Sequence, residues 1–283
     1  MMYTTNFMAS IFWCIALSSN MLMQTVKAQV IPKVGVCISV EQQYDARNAG
    51  FDFVVPGVSA YLNTHLTKND KIYALPVYAC NVFLPANIKC VGPEVDVEGL
   101  VAYADTVFRR AQERKVSMVV FGSGAARKIP DGYNREEARE QFVALCKKLA
   151  ASAAAYNVKI ALENLNSDET NFINTVEEAL LIAEQVDMSN FGINADIYHM
   201  LKEGESAEQL FRVQRYILYC EIAEPANRTP PGVEGTDFTA YLRALKAINY
   251  KGGIGVEARW TDFKRQSVSA RRNLQKQLTA VYR

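Results

Sequence analysis

Residues 158–166 have the sequence Val-Lys-Ile-Ala-Leu-Glu-Asn-Leu-Asn, a short aliphatic run that leads into a carboxylate. Lys159 is the only charged residue before Glu163 in this run. Short, nearly continuous apolar runs are typical of strands in a buried parallel sheet. Because burying an unpaired carboxylate is costly, a buried strand has little reason to end in glutamate unless the carboxylate has a partner there. The stretch therefore predicts a buried strand that ends in a functional carboxylate.

Three later stretches repeat this arrangement. Apolar strands are predicted at 190–196, 216–223 and 253–258, and each carries a carboxylate at or near its end. These carboxylates are Asp196, Glu221 and Glu257, with Glu224 just beyond the second strand. One strand-and-helix unit separates each carboxylate from the next. Since the carboxyl ends of parallel barrel strands meet at one mouth, the four strand-end carboxylates predict a metal or acid–base site there.

The complete pattern predicts a single (β/α)8 TIM barrel. Eight strands alternate with eight helical segments, which favours a closed barrel over an open doubly wound sheet. The strands are predicted at 33–40, 51–55, 77–84, 117–121, 158–165, 190–196, 216–223 and 253–258. The clearest helices are predicted at 41–49, at 97–114, after Asn134, at 175–187, near 206–215, at 237–249 and at 264–281. No GxGxxG motif follows the first strand, so a dinucleotide-binding fold is excluded.

Composition agrees with one globular domain. The chain has 283 residues, of which 49% are hydrophobic and 22% charged. Barrels of about 250 residues are commonly one domain. The formal net charge is +1 and no basic run is present, which argues against nucleic acid as the main partner. A homo-oligomer is compatible with this composition.

The first 28 residues differ from the rest of the chain. They contain no acidic residue and one basic residue, Lys27, and the stretch from Phe7 to Leu17 is apolar. This run has the length of a signal-peptide core and is short for a bilayer span. Residues 1–28 are therefore predicted to be a cleaved signal peptide and residues 29–283 the barrel domain, exported to the periplasm or outside the cell and free of the membrane after cleavage. An uncleaved anchor and a misassigned start codon are the alternatives.

The cysteines do not form a disulfide framework. The predicted mature chain has five, at widely spaced positions: Cys37, Cys80, Cys90, Cys146 and Cys220. In an oxidising compartment Cys80 and Cys90 could bridge a loop, but buried free thiols are the favoured interpretation.

Several passages together resemble the xylose isomerase-like barrel superfamily, in the branch of sugar phosphate isomerases and epimerases. In chain order the passages are Phe121-Gly-Ser-Gly-Ala-Ala-Arg127, Ala161-Leu-Glu-Asn-Leu-Asn166 with Thr170-Asn-Phe-Ile-Asn-Thr175, Asp196-Ile-Tyr-His199, Ile222-Ala-Glu-Pro225 with Arg228 and Pro230-Pro-Gly232, and Gly255-Val-Glu257. Each is weak alone, but their order and spacing are specific and span most of the mature chain.

This resemblance implies a divalent metal at the carboxyl-terminal mouth of the barrel. The ligand positions carried over from the family are Glu163, Asp196, Glu221 and Glu257, although the family has histidine where this chain has Glu221. Four carboxylates suit hard ions such as Mn²⁺ or Mg²⁺ better than Zn²⁺. The substitution is equally compatible with a degenerate site that holds no metal. His199, Arg228 and Glu224 are predicted to bind the substrate.

The resemblance implies a metal-dependent ketose isomerase or epimerase that acts on a small-molecule sugar, and the chemistry of these residues agrees with it. Moving a proton next to a carbonyl through an enediolate needs an acid and a base, and Glu163 and Glu257 are the catalytic candidates. A non-catalytic or vestigial sugar-binding barrel and a keto-sugar or inositol dehydratase are the alternatives. An endonuclease of the same superfamily needs a histidine-rich centre, whereas this chain has two histidines.

Two further expectations concern the substrate. Export favours a free sugar over a sugar phosphate, since phosphorylated sugars are scarce outside the cytoplasm. Arg127 and Lys128 are predicted to lie on an exposed charged loop, with contact to a substrate oxygen or phosphate as the alternative.

Overall fold

The structure is a computed structural model that describes residue 1 and residues 30–62 and 74–283. Apart from Met1, the predicted signal peptide lies outside the described residues, and so does His65. Within the described part of the chain, no helix combines the length and the apolar character needed to cross a membrane.

A parallel sheet of seven strands forms the centre of the described structure, in the order β2-β1-β7-β6-β5-β4-β3. The strands are β1 (Val34–Cys37), β2 (Phe53–Val55), β3 (Met118–Phe121), β4 (Lys159–Glu163), β5 (Phe191–Asp196), β6 (Ile217–Ile222) and β7 (Ile254–Val256). Each lies inside a predicted strand and is shorter than predicted. The predicted strands extend into residues that leave the hydrogen-bonded ladder for the loops at either end.

The eighth position of the barrel is occupied by residues 77–81, which we call the closing segment. Its Tyr78 N–H donates to the carbonyl of Val54 on β2 at 3.0 Å, and its Cys80 N–H donates to the carbonyl of Met118 on β3 at 3.1 Å. The predicted strand at 77–84 is thus reduced to isolated parallel bridges, because the backbone turns at Val82, whose φ is 53°. The segment nevertheless joins the two edges of the sheet, so the predicted (β/α)8 barrel is confirmed.

Helices surround the barrel. Those in the described residues are α1 (Gln43–Asn48), α2 (Val58–Tyr61), α3 (Val97–Glu113), α4 (Gly124–Arg127), α5 (Arg135–Ala155), α6 (Val176–Val186), α7 (Ile197–Lys202), α8 (Gln209–Val213), α9 (Thr239–Ala247) and α10 (Phe263–Tyr282). The side chain of Asn134 caps α5 by accepting the N–H groups of Glu136 and Glu137, as its position before the helix predicts. The short helices α4 and α7 were not predicted, whereas α2 lies in a segment after Pro56-Gly57 that the sequence predicts to be loosely helical or irregular.

The core has two layers, one between strands and helices and one inside the barrel. The interior cluster consists of Phe53, Val55, Ala79, Met118, Val120, Ala161 and Tyr219. Because side chains alternate along a strand, a residue two positions beyond an interior residue points to the same side. Glu163 follows Ala161 at this spacing and Glu221 follows Tyr219. The alternation therefore directs both carboxylates toward the barrel axis, above an apolar floor.

All five described cysteines are free thiols. Cys80 and Cys90 are both fully buried, which agrees with the favoured interpretation of these residues as packed thiols.

Candidate active site and metal centre

The strand-end carboxylates meet at the mouth of the barrel. Glu163, Asp196, Glu221 and Glu257 each offer a carboxylate oxygen, and these four oxygens all lie within 4.8 Å of one another. We call these four residues the carboxylate cluster. The register explains the convergence, because Asp196 on β5 pairs with Glu221 on β6. The structure thus brings together the residues that the sequence analysis placed in one site.

Two glycines leave room for the cluster. A Cβ atom on Gly122 would lie 2.1 Å from Oε2 of Glu163, which no side chain could tolerate without displacing that carboxylate. A Cβ atom on Gly255 would lie 1.8 Å from the hydroxyl oxygen of Tyr219, directly below Glu221 in the barrel. Both glycines belong to the passages that carry the family resemblance, and close approach to the site accounts for their residue type.

Glu221 is held by two donors that the sequence analysis missed. The thiol of Cys37 donates to Oε1 of Glu221 at 3.0 Å, and the side-chain amide of Asn194 donates to Oε2. Burial raises the pKa of Glu221 well above its usual range, and the charges of Glu257 and Asp196 add to this effect. The sequence held a signal for Asn194 alone, because it lies two residues before Asp196 and so points to the same side of the strand.

Glu257 is bound by Asn81 and by Arg228. The amide of Asn81 donates to Oε1 of Glu257 at 2.8 Å, and the guanidinium of Arg228 pairs with Oε2. Arg228 also contacts Glu169 at 3.0 Å and Asp196 Oδ2 at 3.6 Å. Burial lowers the pKa of Arg228, but the charges of Glu257 and Asp196 outweigh burial and hold it above its usual value. Arg228 therefore stays cationic and partly neutralises the cluster.

The two carboxylate oxygens of Asp196 have different surroundings: one caps a helix and the other faces the carboxylate cluster. Oδ1 caps α7 by accepting the N–H of Tyr198 at 2.8 Å. Oδ2 is buried, faces the cluster and accepts no hydrogen bond from the described residues. Burial raises the pKa of Asp196 to about 7, although the charge of Arg228 opposes this shift. A buried carboxylate oxygen without a donor is costly, and a bound cation would supply the missing partner.

Glu163 is in a similar electrostatic environment. Its side chain is almost fully buried, and burial raises its pKa well above the usual range. The nearby charges of Glu221 and Glu257 raise this pKa further. Glu163 therefore binds a proton more readily than an exposed glutamate does, as a general acid requires.

His199 is a neutral hydrogen-bond donor that faces the cluster. Its Nδ1 accepts the backbone N–H of Asn166 at 2.9 Å, so the proton of the neutral ring is on Nε2. Burial, together with the charges of Arg228 and Arg127, lowers the pKa of His199 to about 2. Nε2 lies 3.4 Å from Asp196 and 3.7 Å from Glu163 and makes no hydrogen bond with the described residues. Its N–H is therefore available to a bound molecule.

Glu224 is placed differently from the prediction. It is fully buried, and its carboxylate accepts hydrogen bonds from the hydroxyl of Thr229 and from the backbone N–H groups of Gly232, Glu234, Gly235 and Thr236. These contacts give Glu224 a role in organising its own loop. They correct the expectation that this side chain is presented to the substrate.

Arg127 also differs from the prediction. It is fully buried, whereas Lys128 is exposed as expected. Its guanidinium donates to the carbonyl of Glu163 at 2.7 Å and to that of Ile173 at 3.3 Å. Arg127 therefore supports the end of β4 from behind and cannot reach a substrate phosphate. The polar, glycine-rich loop around it gave no sign of this burial.

The chain matches the model of one protein family along most of its length. Residues 44–279 match the family described as the xylose isomerase-like TIM barrel. Together with the barrel architecture and the cluster at its mouth, this match establishes the class. The chain belongs to the xylose isomerase-like TIM barrel family.

Similar proteins include sugar epimerases. An L-ribulose 3-epimerase of Methylomonas sp. (strain DH-1) is 32% identical over 167 residues, which cover 56% of this chain and 57% of that protein. A ketose 3-epimerase of Arthrobacter globiformis is 30% identical over 39% of this chain and 38% of that protein. The chain thus spans about half the length of these curated relatives.

Solved structures share the fold. The apo crystal structure of 3-keto-D-glucoside 4-epimerase from E. coli has a TM-score of 0.73 at 20% identity, and the match covers 88% of this chain and 99% of that one.

Proposed function

We propose that this protein is a metal-dependent isomerase or epimerase that acts on a small, uncharged ketose or ketose derivative. The observation that carries the proposal is the convergence of the carboxylate cluster, with buried Asp196 Oδ2 and His199 Nε2 lacking hydrogen-bond partners among the described residues. The names of the sugar epimerases that it resembles support the same reaction class.

The donor set fits a hard divalent cation. The four oxygen ligands would come from the carboxylate cluster, and Arg228 is the cation already paired with it. Without a further cation, three buried carboxylates and a partly buried one face each other at short range, which is electrostatically unfavourable. Oxygen-only coordination favours Mn²⁺ or Mg²⁺. When bound, such an ion would polarise the carbonyl and the neighbouring hydroxyl of a sugar.

Two carboxylates of the cluster are suited to proton transfer. One carboxylate removes the proton from the carbon next to the carbonyl, and the electron pair of the C–H bond moves into the enediolate. The other carboxylate, in its acid form, returns a proton to the opposite face of that carbon, which inverts its configuration. Glu163 and Glu257 lie on opposite sides of the cluster, on β4 and directly after β7, and we assign these roles to them.

His199 completes the proposed site. Its Nε2–H points into the same space as the carboxylates of Glu163 and Asp196. Because the ring stays neutral, His199 donates a hydrogen bond to a sugar oxygen as the oxygen gains negative charge. It does not compete with Glu163 as a base, since its pKa is about 2.

The cationic side chains near the cluster favour an uncharged substrate. Arg127 is buried against backbone carbonyls, and Arg228 is paired with Glu257 and Glu169. Neither guanidinium is therefore free to bind a phosphate group. This argument supports a free sugar, in agreement with the expected export of the protein.

Proton exchange into candidate sugars tests the proposal directly. The purified protein, loaded with Mn²⁺ or Mg²⁺, is incubated with free ketopentoses and ketohexoses in D₂O, and NMR measures deuterium at the carbon next to the carbonyl. Exchange should require the metal and should be lost in Glu163→Gln and Glu257→Gln. Glu140→Gln, at an exposed residue of α5, is the matched control. Sugar binding without exchange would refute turnover, and loss of water from the substrate would identify a dehydratase.

A further inference from the structure

We propose that Glu224 is a positioning residue that holds loop 225–236 in place and thereby sets Arg228 against Glu257. This inference rests on the proposed function, because it concerns one of the two carboxylates assigned to proton transfer. Glu224 follows β6 at the mouth of the barrel and has no exposed surface.

The carboxylate of Glu224 is enclosed by donors from its own loop. Oε1 accepts the N–H groups of Gly232 at 2.7 Å, Gly235 at 3.1 Å and Thr236 at 3.1 Å. Oε2 accepts the hydroxyl of Thr229 at 3.0 Å and the N–H of Glu234. Hydrogen bonds to an ionised group are stronger than those between neutral groups. Both oxygens are thus committed to the loop, and neither is available to a sugar.

The backbone N–H of Glu224 stabilises the turn that contains Arg228. The N–H of Glu224 donates to the carbonyl of Thr229 at 2.9 Å, so the chain reverses between these two residues. Arg228 lies in this reversal with φ of 54°, a conformation that a residue with a side chain rarely adopts. Such a conformation persists only where its surroundings impose it. The surroundings that impose it here are the backbone hydrogen bond between Glu224 and Thr229 and the N–H of Arg259, which donates to the carbonyl of Arg228 at 2.7 Å.

The held backbone directs the guanidinium of Arg228 into the site. Its Nε donates to the carbonyl of Glu257 at 3.3 Å, and its terminal nitrogens reach the side chains of Glu257 and Glu169. The guanidinium also lies over the ring of Tyr198, 4.6 Å from its centre. Loss of the Glu224 carboxylate would leave the N–H groups of the loop without an acceptor. The reversal would then relax, and Arg228 would lose its alignment with Glu257.

A double-mutant cycle on stability tests this coupling without any activity measurement. Urea unfolding midpoints are measured for wild type, Glu224→Gln, Arg228→Ala and the double variant. If Glu224 acts through Arg228, the midpoint shift caused by Arg228→Ala should be at least halved in the Glu224→Gln background. Additive shifts would overturn the proposal. Glu140→Gln, which changes an exposed carboxylate on α5, should leave the effect of Arg228→Ala unchanged.

Measurement of kcat separates a positioning role from a purely structural one, because only the positioning role predicts a slower reaction in the folded variant. On the exchanged sugar, Glu224→Gln and Arg228→Lys should each lower kcat by about tenfold, and the double variant should be no worse than the poorer single variant. A folded Glu224→Gln enzyme with wild-type kcat would contradict the proposal.

A milder variant and the wild-type control keep the test decisive. If Glu224→Gln does not fold, Thr229→Val removes one donor from the same carboxylate and should show the same coupling with a smaller amplitude. If wild type exchanges no sugar proton, the proposed function fails. The stability cycle then still decides whether Glu224 positions Arg228.

Discussion

Replacing Glu221 by glutamine should change the stability of the metal-free protein and the binding of metal in opposite directions. In the absence of metal, Glu221 is a buried carboxylate whose oxygen lies within 4.8 Å of those of its three neighbours. At that separation and an effective dielectric constant of about 20, two ionised carboxylates repel each other by roughly 3 kcal/mol. The raised pKa of Glu221 relieves part of this repulsion at neutral pH. Glu221→Gln should therefore stabilise the metal-free protein by about 1 to 2 kcal/mol at pH 8.

The same substitution should weaken metal binding. Glutamine retains a neutral oxygen ligand but removes one of four negative charges, and we expect a loss of about 2 to 3 kcal/mol, or roughly 30- to 150-fold in Kd. If wild type binds Mn²⁺ with a Kd of about 1 μM, 1 mM Mn²⁺ stabilises it by about 4 kcal/mol. For a chain of this size that corresponds to a rise in Tm of about 8 °C, which Glu221→Gln should reduce to about 4 °C or less.

Thermal unfolding with and without Mn²⁺ or Mg²⁺ measures both effects in one experiment. Glu205→Gln is the matched control, because burial raises the pKa of Glu205 to about 7 but Glu205 lies outside the carboxylate cluster. It should raise Tm at pH 8 without changing the shift caused by metal. A Glu221→Gln protein that loses stability without metal and keeps the full metal shift would refute the assignment of Glu221 as a ligand.

Three further predictions concern the pH dependence of stability, the substitution of Gly122 and the amino terminus of the native protein. Burial raises the pKa values of Glu163, Glu221 and Asp196, so the stability that these groups contribute is complete below their unfolded-state pKa values and is lost as the pH rises. The Tm of the metal-free protein should therefore fall from pH 5 to pH 8, and a flat or rising profile would contradict this. Gly122→Ala should displace Glu163 and lower both the metal affinity, measured by titration calorimetry, and the rate of proton exchange, measured by NMR, by at least tenfold. A variant with wild-type affinity and exchange would show that the space is not needed. Mass spectrometry of the native protein should find Gln29 at the amino terminus, and an intact Met1 in a cytoplasmic fraction would rule out export.

The sequence was sufficient to predict the barrel and the carboxylate cluster, because both depend on local periodicity. An apolar strand ending in a carboxylate determines which residue reaches the mouth, and the alternation along the strand determines which way it points. Glu163 and Glu221 lie two residues after the interior residues Ala161 and Tyr219, so no long-range information was needed to orient them.

The partners of the cluster were not predicted, because they depend on which loops meet. Asn81 lies 176 residues from Glu257 and Cys37 lies 184 residues from Glu221, so no local pattern links them. Arg127 was misjudged for a related reason. A charged residue in a glycine-rich loop is usually solvated, and only the carbonyls at the ends of neighbouring strands make its burial favourable.

The closing segment forms the join between the two edges of the sheet, and we call this join the seam. Elsewhere in the described barrel each strand pairs with its neighbour through a ladder of at least three residue pairs, whereas residues 77–81 join β2 and β3 through isolated bridges. Regions with few backbone hydrogen bonds open at lower free energy than the rest of a domain, and amide hydrogen exchange reports such local opening. Asn81 ends this segment and binds Glu257 at 2.8 Å. Local opening of the seam would therefore release Glu257 from Asn81, one of its two anchors, while β4, β5 and β6, which carry the other three carboxylates of the cluster, stay paired with one another.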